Sequence, residues 1–556
     1  MSAVYRQAAR RSGRFLHLAT AGLLFLFAAC GPSANAPDST AAPDLQSRRF
    51  ELSDFLASVG NPVDSPATAR LVAARGLAWN PRSLVAAAPM LYDPPAGFRI
   101  AAVSPRGDRI ALVRELDPDS TEVLLHDRTK AETRLLLPVD SDAHFEPQRF
   151  SPDGSRLFLF SDEGDNTQQL ELFELETGDR TRRSRAGCEA LRFDLSADGT
   201  RYGIQWSCGG AVAAALFETD SGHELGPLPL PSDTRLARAL PGEGASGVVY
   251  EIAAARFPRD ILFVGRGDAE ALALPITFGL APAIAAEDLV EPAAVQLRPD
   301  GPVGAARPPV LVGELWWPRR PSGAPPAVVW LEDDHHLPTW QEFHPLFQFL
   351  TNRGVSVLRI RPRGSAGFGK LHRHGADGRL VEAGLEDLDA ARAELVGRGA
   401  DAQRIALVGE GAWLGALAAV ALAERPGRYV AAVDLGGDPD PLRQQDLVAA
   451  LAEPARSWWV ARLGDSASES ARRDRERMKF SPAVTGRALF LAIDPAAGAW
   501  SAEALAARQA LDPGRRIELA PAPGGASSGP AGFTELPATA VVALWEFLRL
   551  QLSLPR

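Results

Sequence analysis

The sequence predicts an all-β propeller followed by a doubly wound, mostly parallel α/β sheet, and three observations carry that prediction. A six-residue turn opening on serine and closing on arginine recurs at intervals of 47 and 45 residues, as Ser104-Pro105-Arg106-Gly107-Asp108-Arg109, Ser151-Pro152-Asp153-Gly154-Ser155-Arg156 and Ser196-Ala197-Asp198-Gly199-Thr200-Arg201. Beyond Val290 the rhythm changes, and buried apolar runs alternate with helix-length stretches. Ahead of both lies a basic, then apolar, then Pro- and Ser-rich leader that belongs to neither body.

Residues 1–30 read as a targeting segment. Arg6, Arg10, Arg11 and Arg14 precede an apolar run from Leu16 to Ala29 that is short for a membrane span. The run ends Phe27-Ala28-Ala29-Cys30, which resembles the bacterial lipobox, where the cysteine is diacylated and becomes the mature N-terminus. Gly31 behind it implies, by the same resemblance, sorting to the outer membrane with the body facing the periplasm; a plain secretory leader with an incidental Cys30, giving a soluble periplasmic protein, is the alternative. Two or more acyl chains would anchor the chain stably where one would not. Residues 31–48, rich in Pro, Ala, Ser and Asp without periodicity, read as a flexible tether.

Residues 49–288 are expected to form the propeller. Each repeated turn is followed by an apolar strand such as IALV or LFLF, and a period of 40–50 residues is that of a four-stranded propeller blade, which buries its faces only by stacking on neighbours. That span has room for five to seven blades. Of three cysteines in the chain, Cys30 belongs to the leader, leaving Cys188 and Cys208 as an even pair twenty residues apart. A cross-strand disulfide is expected of them in an exported protein, with two buried thiols as the alternative.

Residues 289–556 are expected to hold the α/β sheet. The apolar runs 326–331, 355–360, 404–409, 429–435, 488–493 and 516–520 alternate with stretches read as amphipathic, such as EDLDAARAELVGRG and AWLGALAAVALAERP, before a last helix AVVALWEFLRLQL. Charge excludes one class of partner. The 556 residues carry a formal net charge of −10, and the basic runs RTRRSR and RRDRER are short and isolated, so no nucleic-acid partner is expected. No cofactor is implied.

The strings in this second body carry a resemblance. Arg353-Gly354-Val355-Ser356-Val357-Leu358 followed by Arg363-Gly364-Ser365-Ala366-Gly367-Phe368-Gly369, with Gln348 ahead of them, resembles the prolyl oligopeptidase family, as do Glu386-Asp387 followed by Asp401-Ala402-Gln403-Arg404-Ile405. Pro258-Arg259-Asp260 and Leu289-Val290-Glu291-Pro292 resemble the exit from the family's last blade. The resemblance spans about residues 49–556 and implies a propeller over an α/β-hydrolase domain with a serine peptidase triad.

The triad positions are where this chain departs. The family's nucleophile serine sits on a strand-to-helix elbow between small residues. Aligned on RIALVGEGAWLG, the serine position is Gly411, the small residue before it is Gly409, and the one after it is Trp413, which is expected to crowd the elbow. No serine occurs between Ser365 and Ser457. The family's base is a histidine in the loop before the final helix, which here reads APAPGGASSGPAGF, and no histidine follows His374. The acid position falls near Gly498, with Asp494 about four residues early. Where the family carries glycines for an oxyanion hole, this chain has Glu332-Asp333-Asp334-His335-His336, whose carboxylates oppose a developing negative charge.

Those five residues with His344, His372 and His374 could form a metal cluster, but consecutive residues seldom face one ion, and a solvated polar loop is the expectation, with no metal site. Ser365 as a substitute nucleophile reads better as a structural turn. Glu410 reads as a surface charge at a helix N-terminus, and Trp316-Trp317 and Trp458-Trp459 as packing residues. The function expected is that of a catalytically inactive, envelope-anchored homologue that binds peptides or another envelope protein; the alternative is an active serine peptidase or esterase with a relocated nucleophile.

Overall fold

The serine-headed turns are joints of a repeated antiparallel unit. The computed structural model describes Leu52, Val460 and residues 92–117, 119–138, 143–196, 198–209, 211–225, 235–241, 248–264, 273–275, 284–300, 310–332, 342–365, 367–410, 413–435, 469–477, 487–491 and 538–555. Strands β1 (Arg99–Val103), β2 (Arg109–Asp117), β3 (Ser120–Asp127) and β4 (Glu132–Leu137) form one antiparallel sheet in chain order. A second holds β5 (Phe145–Phe150), β6 (Arg156–Ser161), β7 (Gln169–Glu174) and β8 (Arg180–Arg182). The third is β9 (Glu189–Leu195), β10 (Arg201–Cys208) and β11 (Ala211–Glu218), and the fourth β12 (Arg235–Pro241), β13 (Val248–Ala254), β14 (Phe257–Val264) and β15 (Ala273–Pro275).

Each repeated turn links the first two strands of its sheet by the same bond. The hydroxyls of Ser104, Ser151 and Ser196 accept from the amides of Arg109, Arg156 and Arg201 at 2.9, 3.0 and 3.0 Å. The turns also touch one another. Gly199 stands at φ +69°, and a Cβ there would fall inside the Pro152 ring, so glycine is required both for the positive φ and for the approach of the neighbouring sheet. Stacking explains the unbroken apolar strands: Leu157 and Leu159 of β6 pack toward the first sheet with Val113 and Phe145, while Phe158 and Phe160 pack toward the third with Tyr202 and Trp206. Each such side chain contributes about 1.5–3 kcal/mol by leaving water, which a lone sheet could not provide on both faces. Cys188, just before β9, and Cys208, ending β10, are joined by a disulfide with 4.4 Å between Cα atoms. The leader with Cys30, the tether, and residues 53–91, on which the blade number depends, lie outside the described residues.

The second body is a seven-stranded sheet, in the order β16 (Ala293–Leu297), β17 (Leu311–Trp316), β19 (Ser356–Ile360), β18 (Ala327–Glu332), β20 (Ile405–Glu410), β21 (Ala431–Leu435) and β22 (Ala488–Leu491). From β19 to β22 all pairs are parallel, while β16 and β17 add antiparallel at one edge. The run 516–520 lies outside the described residues.

Six helices among the described residues complete this body: α1 (Pro345–Asn352), α2 (Lys370–Arg373), α3 (Leu380–Gly397), α4 (Leu414–Glu424), α5 (Glu469–Arg477) and α6 (Ala538–Gln551). One sheet face packs on α3 and α4 through Val329, Leu331, Leu407, Leu388 and Leu417, and the other on α1 and α6 through Trp330, Val408, Phe347 and Leu544. Helix α4 departs from the amphipathic reading: all residues from Leu414 to Leu422 are buried. Alanine dominates it because the helix lies close to both the sheet and α3, where a larger side chain would not fit.

Candidate functional site

The chain leaves β18 to build β19 on one side and β20 on the other, so the carboxyl ends of β18 and β20 border the point where strand order reverses. Open α/β sheets form their ligand crevice at such a point. The structure places Glu332 and Glu410 there, opposite one another in the parallel register.

The start of α4 lies hard against the end of β20 and against β21. A Cβ on Gly409 would overlap the Leu414 carbonyl, and one on Gly415 would overlap the Asp434 carboxylate on β21. Trp413 is buried in the core shared by α3 and α4, 3% exposed, and Gly415 supplies the small contact with the neighbouring strand. Gly411, the nucleophile position, and Ala412 lie outside the described residues, as do the acid position near Gly498, Asp494, the loop APAPGGASSGPAGF and Asp333, Asp334, His335 and His336.

Glu410 is not the solvated helix-end charge that the sequence suggests. It is half-buried, and its carboxylate accepts from Trp330 Nε1 at 3.1 Å, so it lies back over the sheet face under α1. On that face runs a line of buried charge. The Arg359 guanidinium lies between Glu314, 3.4 Å away, and Glu332, to which it donates through Nε at 2.5 Å, and Arg361 reaches Glu332 at 3.5 Å. Burial pushes the Glu332 carboxyl up, but the two guanidiniums outweigh it and leave it below the ordinary carboxylate range. Burial likewise works against the charge on Arg359, and its carboxylates hold its pKa above the ordinary value. Sequence reading missed this network, although the signal was present: Arg359 and Arg361 interrupt an apolar strand two residues apart, hence on one face.

The three described histidines of the suggested metal cluster are not brought together. His344 caps α1, its Nδ1 accepting from the Phe347 amide at 3.2 Å, and its ring stacks on Phe347 at 3.5 Å; burial, with Arg359 nearby, holds its pKa well below 6.5. His372 lies 3.1 Å from the Pro362 carbonyl. His374 sits between Asp119 of the propeller and Asp377. Among the described residues no group of three or more metal-ligating side chains converges.

Ser365 is held in a turn. It is fully buried, its amide donates to the Pro362 carbonyl at 3.1 Å, and its hydroxyl has no hydrogen-bond partner among the described residues. The turn is fastened by Arg363, which meets Asp387 through its backbone amide at 2.9 Å and its Nε at 2.8 Å, and Glu386 at 2.7 Å. Burial drives the Asp387 pKa up to about 6 against the pull of Arg363. Trp316 is fully buried edge-on against Phe347, and Trp317 packs against the α3/α4 core; Trp458 and Trp459 lie outside the described residues.

Residues 341–475 match the model of the prolyl oligopeptidase family. No curated protein matches the chain. Among solved structures, the chain is similar to a prolyl endopeptidase from a study of two such enzymes and the role of their inter-domain dynamics in catalysis and specificity, at TM-score 0.63 and 16% identity over 82% of this chain and 66% of that one. It is similar to a Mycobacterium tuberculosis puromycin-hydrolyzing peptidase at TM-score 0.57 and 20% identity, over 72% and 61%. It is also similar to prolyl oligopeptidase B from Galerina marginata at TM-score 0.63 and 13% identity, over 84% and 67%. The chain thus spans less than two thirds of the length of the first two. These likenesses establish a propeller followed by an α/β-hydrolase sheet.

Proposed function

Because the chain belongs to the prolyl oligopeptidase family, in its 341–475 segment and in its fold, we propose that it is a member without the family's chemistry, which binds peptides or a partner protein. The observation that carries this is the identity of the residues at the reaction centre. The nucleophile position is Gly411, and residues 375–556, which include the stretch that carries the family's base, contain no histidine. Of the described histidines near the sheet, His344 is a helix cap, His372 lies against the Pro362 carbonyl and His374 is an ion-pair partner. Loss of a triad serine or histidine alone costs roughly 10⁶ in turnover. By sequence, Glu332 also opens the stretch where the family carries oxyanion-hole glycines.

Attachment to the envelope through a diacylated Cys30 is part of the same reading and rests on the leader sequence. The test is to treat the purified full chain with a fluorophosphonate. No labelled serine is expected, whereas stoichiometric, serine-specific labelling with turnover of any acyl substrate would establish the enzyme reading instead. Mass analysis of the N-terminal fragment from envelope-extracted protein tests the anchor: a diacylglycerol on Cys30 is expected, and a free N-terminus elsewhere would remove it.

A further inference from the structure

The chain enters the sheet body on one side of it. Leu52 packs against the core that α1 and α6 build on their face of the sheet, as does Leu554, just past α6. Cys30 and Leu52 are 22 positions apart. A coil of that length spans about 26 Å on average, whereas a body of this size is about 47 Å across. A lipid on Cys30 therefore holds the α1/α6 flank nearest the bilayer.

The outer surface of α6 has the chemistry of a bilayer-facing helix. Val542, Glu546 and Leu550 follow one another at four-residue spacing and form one ridge, on which the two aliphatics are 48% and 51% exposed. The acid between them is neutralised, because Arg549 donates to it through Nη2 at 2.7 Å and Nε at 3.1 Å. Beside the ridge, Trp545 is half-buried with its ring edge-on to Phe349 of α1 at 4.8 Å, and the Arg353 guanidinium lies 4.8 Å over that same Phe349 ring. The inner face, with Val541, Leu544 and Leu548 buried, already fastens the helix to the sheet, so the outer aliphatics are not needed for packing. Aliphatics flanked by tryptophan and arginine are what an interfacial helix presents to phospholipid.

We propose that this ridge is the membrane-contacting surface of the protein: with Cys30 acylated, α6 rests on the phospholipid headgroup and acyl boundary. The proposal rests on the Cys30 anchor stated above and adds an orientation to it. Two half-exposed side chains are too few to hold a free protein on a bilayer, since immersing part of their remaining apolar surface is worth only about tenfold. The tether turns that tenfold into a preferred orientation, because it keeps the surface at roughly millimolar effective concentration. As α6 covers one face of the sheet, the carboxyl ends of β18 and β20 then point along the membrane rather than into it. The crevice stays open to a peptide or to a neighbouring envelope protein.

A single fluorescent thiol label reads the contact, because Cys30 is acylated in this reading and Cys188 and Cys208 are bonded to each other. Nitrobenzoxadiazole is placed at Val542→Cys, at Leu550→Cys and, as a control on the propeller, at Leu135→Cys, a residue 52% exposed. The acylated full chain is reconstituted in vesicles of phosphatidylethanolamine and phosphatidylglycerol that contain nitroxide-labelled acyl chains. Quenching of about nine-tenths of the label is expected at 542 and 550, as a tenfold bias requires, with little at 135. Adding Val542→Glu to the Leu550→Cys protein should lower quenching at 550 to about half. Protein that pellets with the vesicles but is quenched no more at 542 and 550 than at 135 would overturn the proposal and leave the anchor standing. Failure to pellet would remove the anchor and the proposal with it. A label response at 542 and 550 that needs no vesicles and grows with protein concentration would assign the ridge to a second copy of the chain and overturn the proposal.

Discussion

Arg359→Leu tests whether the buried charge line under α1 is held by its arginine. The guanidinium is 4% exposed and lies 3.4 Å from Glu314, itself 1% exposed, and against Glu332. At an effective dielectric near 20, the Arg359–Glu314 attraction alone is about 5 kcal/mol, most of it offset by the cost of burying the charges. Removing only the cation leaves that cost unrelieved, so a loss of about 3–5 kcal/mol is expected. Glu332 retains Arg361, so Glu314 is the carboxylate most affected by loss of this cation. The double variant Arg359→Leu with Glu314→Leu should therefore recover more than half of the loss. Urea unfolding followed by tryptophan fluorescence is suitable, since Trp330 and Trp316 sit in the same core. A loss under about 1 kcal/mol, or a double variant no better than the single, would refute the reasoning.

Glu189, raised to about 7 mainly by burial, binds a proton more readily folded than unfolded, so it costs stability above its unfolded pKa as pH rises toward 7. Glu189→Gln should stabilise the propeller by about 2 kcal/mol at pH 8 and by almost nothing at pH 4, measured by urea unfolding. Removing the Cys188–Cys208 bond, which closes a sequence separation of 20, should cost about 3 kcal/mol by chain entropy, read as the difference between oxidised protein and Cys188→Ser/Cys208→Ser. Gly415→Ala should cost about 1–3 kcal/mol by forcing α4 away from Asp434. Gly411→Ser should give no fluorophosphonate labelling, because restoring the hydroxyl restores no base; labelling would show that another group activates it.

What the sequence reveals of this molecule divides by the range of the interaction involved. The serine-headed turns are legible because their whole mechanism is local, a hydroxyl bonded five residues on and a glycine at positive φ. Strings such as Arg363-Gly364-Ser365 and Glu386-Asp387 are legible as a likeness, yet their reason appears only when Arg363 is seen clamped to both acids on α3. Gln348 is the same case, a motif residue whose meaning is a set of bonds to Ala255 and Val290, distant in sequence. An error arose where one position was judged by its own charge. Glu410 reads as solvated because its partner Trp330 lies eighty residues earlier in the chain. The reaction centre is the exception to that division, since a missing hydroxyl and a missing imidazole are identities rather than contacts. They can be read from the chain directly, whereas the packing of Gly409 and Gly415 and the Arg363 clamp around that position cannot.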